Sequence, residues 1–291
     1  MISSVTNLIQ PKSADLSFGV KYTDFEILEL IENRILNFLK EDRELEQPVI
    51  LSINSRAIIK LTYFLSGLAK RPVAIGVAGE TASGKSSFVY DLVDSVNSIH
   101  AGMGIEENIT KVNADNYYYD RSKEVKAAGG IAKFVENYDL DAPSAVDLEL
   151  LKTHIEKLIC GHDAMTPKYF LDGTAIRLDN HILCKTNPII VSEGIFNLNE
   201  KIKNIFDICL YVNVSPEAQR ERWFRRAAER DFKGEQAEKA FASIMEKTKI
   251  HIKPTVKNAD IIINGDANRE DYRKSAAKFF NIFMDLVKTP V

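Results

Sequence analysis

Apolar positions along this 291-residue chain follow two different periods. Between Asp24 and Glu41, Phe25, Leu28, Ile31, Ile35 and Leu39 recur at three- or four-residue spacing with Glu and Lys between them, which predicts an amphipathic helix capped by Thr23 or Asp24. A second helical stretch is expected from Ser55 to Ala69. From Pro72 onward the pattern changes to short β-branched runs separated by helical stretches: VAIGVA at 73–78, ITKVNA at 109–114, PIIVSE at 188–193, DICLYVNV at 207–214 and ADIIIN at 259–264. Strands alternating with helices in this way are joined by crossovers into a parallel sheet. The expectation is an α/β fold with a five-stranded doubly wound parallel sheet over residues 71–291, preceded by an N-terminal helical extension over residues 1–70. Between the second and third runs, TPKYFLDGTAIRLD sets Asp172-Gly173 between two extended arms and predicts a β-hairpin over about 166–180 that protrudes from the sheet.

Candidate chemistry begins where the first strand ends. GETASGKS, Gly79 to Ser86, fits the pattern G-x-x-x-x-G-K-[ST] between a strand and a helical stretch, SSFVYDLVDSV. Such a loop wraps a phosphate with backbone N–H groups at a helix N-terminus, because glycines at 79 and 84 keep Cβ atoms out of the way. Gly79, Glu80, Thr81, Ala82, Ser83, Gly84, Lys85, Ser86 and Ser87 are therefore the expected nucleotide-binding residues, with Lys85 on the β/γ-phosphates and the Ser86 hydroxyl on Mg²⁺. The second strand runs into Asp115 and the third into Glu193, and carboxyl ends of strands in such sheets open into the ligand crevice. Two acids there can divide the work, one supporting Mg²⁺ and one accepting a proton from an attacking hydroxyl. After the fourth strand, SPEAQRERWFRRAAERD carries Arg220, Arg222, Arg225, Arg226 and Arg230. On a helix, 222, 225 or 226, and 230 fall near one face, so a lid over about 215–234 can bring guanidiniums to a transferring phosphoryl group. Trp223 is the expected hydrophobic anchor of that lid.

Composition narrows the classes of partner. A formal net charge of −3, with basic residues interleaved among acids, provides no footprint for nucleic acid and favours small-molecule chemistry. The first thirty residues lack a secretory pattern and apolar runs such as Val73 to Ala78 are too short to span a bilayer, so the expectation is a cytoplasmic chain with no membrane partner. Three dispersed cysteines, Cys160, Cys184 and Cys209, suit reduced thiols. No Asn-Lys-x-Asp run is present to read guanine, which argues against a GTPase switch. His154 and His162 are expected to be structural, and Tyr117, Tyr118 and Tyr169 are candidates to stack on an acceptor.

The ordered set of motifs resembles the uridine kinase and phosphoribulokinase group of P-loop kinases, over about residues 72–290. GETASGKSS resembles its phosphate loop, DNYY at 115–118 its Asp-Ser-Phe-Tyr motif, and LDAPSAVD at 140–147 the segment that places an Asp on ribose hydroxyls. PKY at 167–169 resembles the start of its nucleoside-side hairpin, SEGIF at 192–196 its Glu-Gly-Ile segment, and KPTVKNADIIIN at 253–264 its approach to the last strand. The resemblance implies a P-loop NTPase fold and transfer of the γ-phosphoryl group of ATP or GTP, with Mg²⁺, to a hydroxyl of a nucleoside or related metabolite. It implies Asp115 as general base, Glu193 with Ser86 and Asp115 around the metal, and Asp115, Tyr118, Asp141, Tyr169 and Arg222 on the acceptor. It also implies Arg222, Arg225 and Arg230 as phosphate-facing lid arginines. Two departures stand out: the hairpin's Tyr-Asp-Phe is here Tyr169-Phe170-Leu171 with no base-reading His among residues 172–177, and the lid's final Arg is Phe232. Pantothenate, a sugar phosphate or another alcohol thus remains an alternative acceptor, and a nucleotide-gated regulatory protein an alternative class. Homo-oligomerisation and the role of residues 1–70 stay open.

Overall fold

In the computed structural model, residues 24–66, 70–101, 109–229, 233–276 and 278 are described. A six-stranded sheet and a separate two-stranded hairpin organise the chain. Helix α1 (Asp24–Arg43), strand β1 (Ile50–Ile53) and helix α2 (Ser55–Leu65) come first. Asn54 starts α2 by accepting a hydrogen bond from Ala57 N at 2.7 Å through its side-chain oxygen. In α1, Ile31, Ile35 and Leu39 are buried as the helical spacing requires, whereas Phe25 is exposed at the first turn.

The parallel core follows: β2 (Val73–Gly79), helix α3 (Lys85–Ala101), β3 (Ile109–Asn113), helices α4 (Ser122–Ala128), α5 (Ile131–Phe134) and α6 (Leu148–Ile159). Next come hairpin strands β4 (Ala164–Tyr169) and β5 (Arg177–Cys184), then β6 (Ile189–Glu193), β7 (Ile208–Asn213), helices α7 (Pro216–Glu229) and α8 (Gly234–His251), and β8 (Ile261–Asn264). The sheet order is β1-β8-β7-β2-β6-β3, with β2 at the centre of the five parallel strands. This is the P-loop NTPase arrangement the strand pattern predicts, with one addition. A sixth strand, β1, pairs antiparallel with β8 and comes from the N-terminal extension, which was expected to be helical. The run Val49-Ile50-Leu51-Ser52-Ile53 is short, apolar and β-branched, a strand signal that the helical reading of the segment passed over.

Two cores line the sheet's faces. On one, α1, α2 and α3 cover Val77, Val191, Ile208, Leu210, Val212, Ile261 and Ile263. On the other, α6 and the 195–206 segment cover Ala74, Val112, Ile190 and Tyr211. The hairpin spans Ala164 to Cys184, longer than its turn signal indicates. Its tip closes with Phe170 N donating to Ile176 O at 3.0 Å, and Gly173 takes the left-handed φ of +90° that the turn needs.

Candidate active site

Strand β2 delivers the chain to the loop before α3. Ser83 N donates to Glu80 O at 3.1 Å, and Phe88 N to Gly84 O at 2.9 Å as α3 begins. Gly84 sits at φ +93°, and a Cβ there would lie 3.2 Å from Arg222 Nη1, so both backbone and lid demand glycine. Ala82 also adopts a left-handed φ, +62°, which turns the chain back over the strand end. Ser86 and Ser87, in the first turn of α3, are exposed.

Helix α7 packs directly on this loop. Gln219 Nε2 donates to Glu80 Oε2 at 3.1 Å and to Thr81 O at 2.9 Å. Arg222 Nη1 donates to Gly265 O at 2.7 Å and to Ser83 O at 3.4 Å. Glu80 is itself buried, with Lys253 Nζ 3.6 Å from Oε1. Trp223 anchors the same helix against Phe241 of α8, with ring centroids 5.3 Å apart.

The acids converge as the strand ends require. The register sets Glu193 beside Val77 of β2 and Asn113 of β3, so β6 carries its carboxylate between the phosphate loop and the Asp115 turn. Asn113 Oδ1 accepts from Asp115 N at 2.9 Å and fixes the 3₁₀ turn over Ala114–Tyr117. Burial raises the Asp115 carboxyl, Lys85 opposes that shift, Glu193 adds to it, and Arg226 opposes it. Burial lowers the Lys85 ammonium against the pull of Asp115 and Glu193. Lys85, Asp115, Glu193 and Arg226 therefore act on one another through a poorly hydrated space. Glu193 Oε2 is buried without a hydrogen-bond partner.

A second group lies beyond Asp115. Tyr118 and Tyr169 face each other with ring centroids 5.3 Å apart, and Tyr169 N donates to Asn116 Oδ1 at 3.2 Å. Burial raises the Tyr118 phenol well above its ordinary value, with Asp115 and Asp141 adding to the shift. Asp141 is likewise raised by burial, opposed first by Lys247 of α8. Tyr118 thus lies within reach of Asp115, Asp141 and Tyr169, and Asp141 within reach of Lys247 of α8.

The lid departs from the sequence expectations at Arg225. Arg225 is not brought to the phosphate loop: its side chain is 64% exposed and reaches Glu221 at 3.8 Å. Arg226 instead acts on Lys85 and Asp115, since it follows Gln219 and Arg222 at helical spacing on α7, whereas 225 falls off that line. Arg222 is engaged with backbone carbonyls, and Arg230 and Phe232 lie outside the described residues. Spacing left Arg226 as an alternative to Arg225, while Gln219 and Lys253 were not singled out as site residues. The four-residue spacing of Gln219, Trp223 and Ala227 was the available signal for Gln219.

The loop, its central strand and the two flanking acids define a P-loop kinase. A model of the phosphoribulokinase / uridine kinase family matches residues 74–270, and the chain belongs to that family. It is 31% identical over 204 residues to a uridine kinase of Halobacterium salinarum, covering 67% of this chain and 81% of that one. It is 29% identical over 212 residues to a uridine kinase of Lactobacillus helveticus, covering 68% and 89%. The solved structure of a possible uridine kinase from Bacillus stearothermophilus superposes with a TM-score of 0.40 at 17% identity, covering 70% of this chain and all of that one. No helix among the described residues is long and apolar enough to cross a membrane.

Proposed function

We propose that this kinase transfers the γ-phosphoryl group of ATP, or GTP, to a hydroxyl of a uridine- or cytidine-like nucleoside or a related metabolite. The observation that carries the proposal is the convergence beside the phosphate loop: strand register sets Glu193 next to Val77 and Asn113, Asn113 Oδ1 fixes the turn that carries Asp115, and Lys85 and Arg226 act on these acids there. In this reading residues 79–87 cradle the phosphates, Lys85 neutralises the migrating charge, and Asp115 accepts the hydroxyl proton as the acceptor oxygen attacks. Arg226 closes over the transferring group, while Arg222 holds the lid on the loop. Tyr118, Asp141 and Tyr169 orient the acceptor. The relatives named uridine kinase support a nucleoside acceptor.

Mg²⁺ fits the donor set. No cluster of three or more His, Cys, Asp or Glu ligands occurs among the described residues, and Mg²⁺ commonly binds through one or two carboxylates plus substrate phosphates. The buried, partnerless Glu193 Oε2 and the Ser86 hydroxyl are the protein atoms that would hold it. When bound, the ion would draw negative charge from the phosphoryl oxygens.

Replacing Asp115 by Asn should lower turnover by about 10²- to 10⁴-fold. Binding of a fluorescent ATP analogue should stay near the wild-type level; unchanged turnover, read by coupled ADP release, would reject Asp115 as the base. A sugar phosphate or pantothenate is favoured over a nucleoside by one observation, the half-buried Phe170 of the hairpin, which stands where the family's Tyr-Asp-Phe pattern has its Asp. An acceptor panel decides: ADP release with uridine or cytidine alone would support the nucleoside reading.

A further inference from the structure

The carboxylate at the end of β6 has a partner that this mechanism leaves unused. Lys111 lies on β3 with Val191 as its register partner on β6, and Asn113 is paired with Glu193. Residues 111 and 113 leave the same side of β3, so Lys111 and Glu193 are diagonal neighbours on one sheet face. Lys111 Nζ sits 3.0 Å from Glu193 Oε1. The lysine enters from the open edge of the sheet, its side chain 40% exposed, and meets a carboxylate that is only 5% exposed. One oxygen of Glu193 is thus held, and the other, Oε2, is buried and bare. Buried acceptors are rarely left so, and an ion or water that completes the site is one explanation for such an atom.

We propose that Lys111 is a positioning residue for the metal-supporting acid: it fixes Glu193 through Oε1 and leaves Oε2 as the oxygen open to a divalent cation carried by the nucleotide. The inference rests on the reading of Glu193 as that acid. Without Lys111, the carboxylate would be free to rotate, and the cation left within its reach would be Lys85, which the phosphates need. A purely structural pair at a sheet edge would act differently, since a half-exposed ion pair adds little to stability and nothing to metal affinity.

The test measures Mn²⁺ binding to the full chain with ADP by electron paramagnetic resonance, in the wild type, K111M, K111R and E193Q, alongside thermal unfolding. K111M should raise the Mn²⁺ dissociation constant about tenfold or more, the usual consequence of losing a partner that orients a ligand. K111R should retain wild-type affinity, because it keeps a cation on Oε1. E193Q should weaken binding at least as much as K111M, and the double variant no further than E193Q alone, as expected for two residues acting through one atom pair. K111Q provides a second neutral variant if K111M folds poorly. If E193Q weakens Mn²⁺ while K111M and K111Q bind as wild type, the role of Lys111 is overturned and the role of Glu193 stands. If E193Q binds as wild type, the metal reading falls and takes this inference with it.

Discussion

Burial works against both charges at the centre of the site, pushing the Asp115 carboxyl up and the Lys85 ammonium down, and each group opposes the shift of the other. The same force acts on His154, where it has a consequence for stability. His154 is buried on α6 and its Nδ1 lies 2.9 Å from the Tyr117 hydroxyl, beneath the Asp115 turn. Desolvation is the main cause that lowers its imidazole, with Lys157 adding to the shift and Asp147 opposing it. At pH above the unfolded value of about 6.5 the ring is neutral in both states and its contribution is complete. As pH falls through that value the unfolded chain takes up a proton that the folded chain resists, and stability is lost toward the lower folded value. Urea midpoints taken from about pH 7.5 to about 5.5 should therefore fall more steeply in the wild type than in H154Q, which keeps a polar partner for Tyr117 but does not titrate. Equal slopes would reject the assignment. Residues of this kind divide by legibility. Lys85, Asp115 and Glu193 could be named from a motif and two strand ends, because strand direction alone fixes where such residues emerge. Lys111 and His154 could not, because their roles depend on which residue of another element stands within 3 Å or so of them.

Helix α7 shows the same division at the level of an element. Its existence, its tryptophan anchor and its density of arginines were legible, but spacing left 225 and 226 as equal candidates. The choice is made by the contacts of Gln219 with Glu80 and Thr81, and of Arg222 with Gly265, which fix the helix's rotation about its axis. With that rotation set, Arg226 rather than Arg225 reaches the charges around Lys85. R226A should lower kcat about a hundredfold, the scale of losing one preorganised donor to a transition-state charge. R225A should stay within a few-fold of wild type, since it removes only an exposed pair with Glu221. Steady-state rates of the two variants at saturating ATP decide between them, and the reverse order would mean that the lid turns before it closes. The hairpin was legible from Asp172-Gly173, but its length was not, because β5 carries polar residues on exposed positions and shows no clean alternation.

For the whole molecule, the least legible part is the join between the N-terminal segment and the sheet. A boundary near residue 70 suggests an appendage on a kinase domain that begins at 71. Ile31, Ile35, Phe38, Leu39, Val49, Ala57 and Leu61 instead share one core with Ile208, Leu210, Ile261 and Ile263. Polar contacts reinforce the join: Asn264 N donates to Val49 O at 2.8 Å, Asn264 Nδ2 to Pro48 O at 2.9 Å, and Lys60 pairs with Asp260 at 2.7 Å. The next residue, Gly265, accepts from Arg222, and a Cβ there would lie 2.5 Å from Ser83 O, so the turn held by the N-terminal segment also abuts the phosphate loop. A chain starting at residue 71 would re-expose Ile208, Leu210, Ile261 and Ile263 at about 1.5–3 kcal/mol each. That sum is of the same order as the whole stability of a typical domain, about 5–15 kcal/mol. It would also open the β8 edge, a template for unwanted strand pairing. The expected outcome is a truncated chain that aggregates or lacks a cooperative thermal transition, read by size-exclusion chromatography and calorimetry. A truncated chain that keeps the full-length melting temperature and ATP turnover would show that residues 24–66 are a separable appendage, and that the turn at Asn264 needs no support from them.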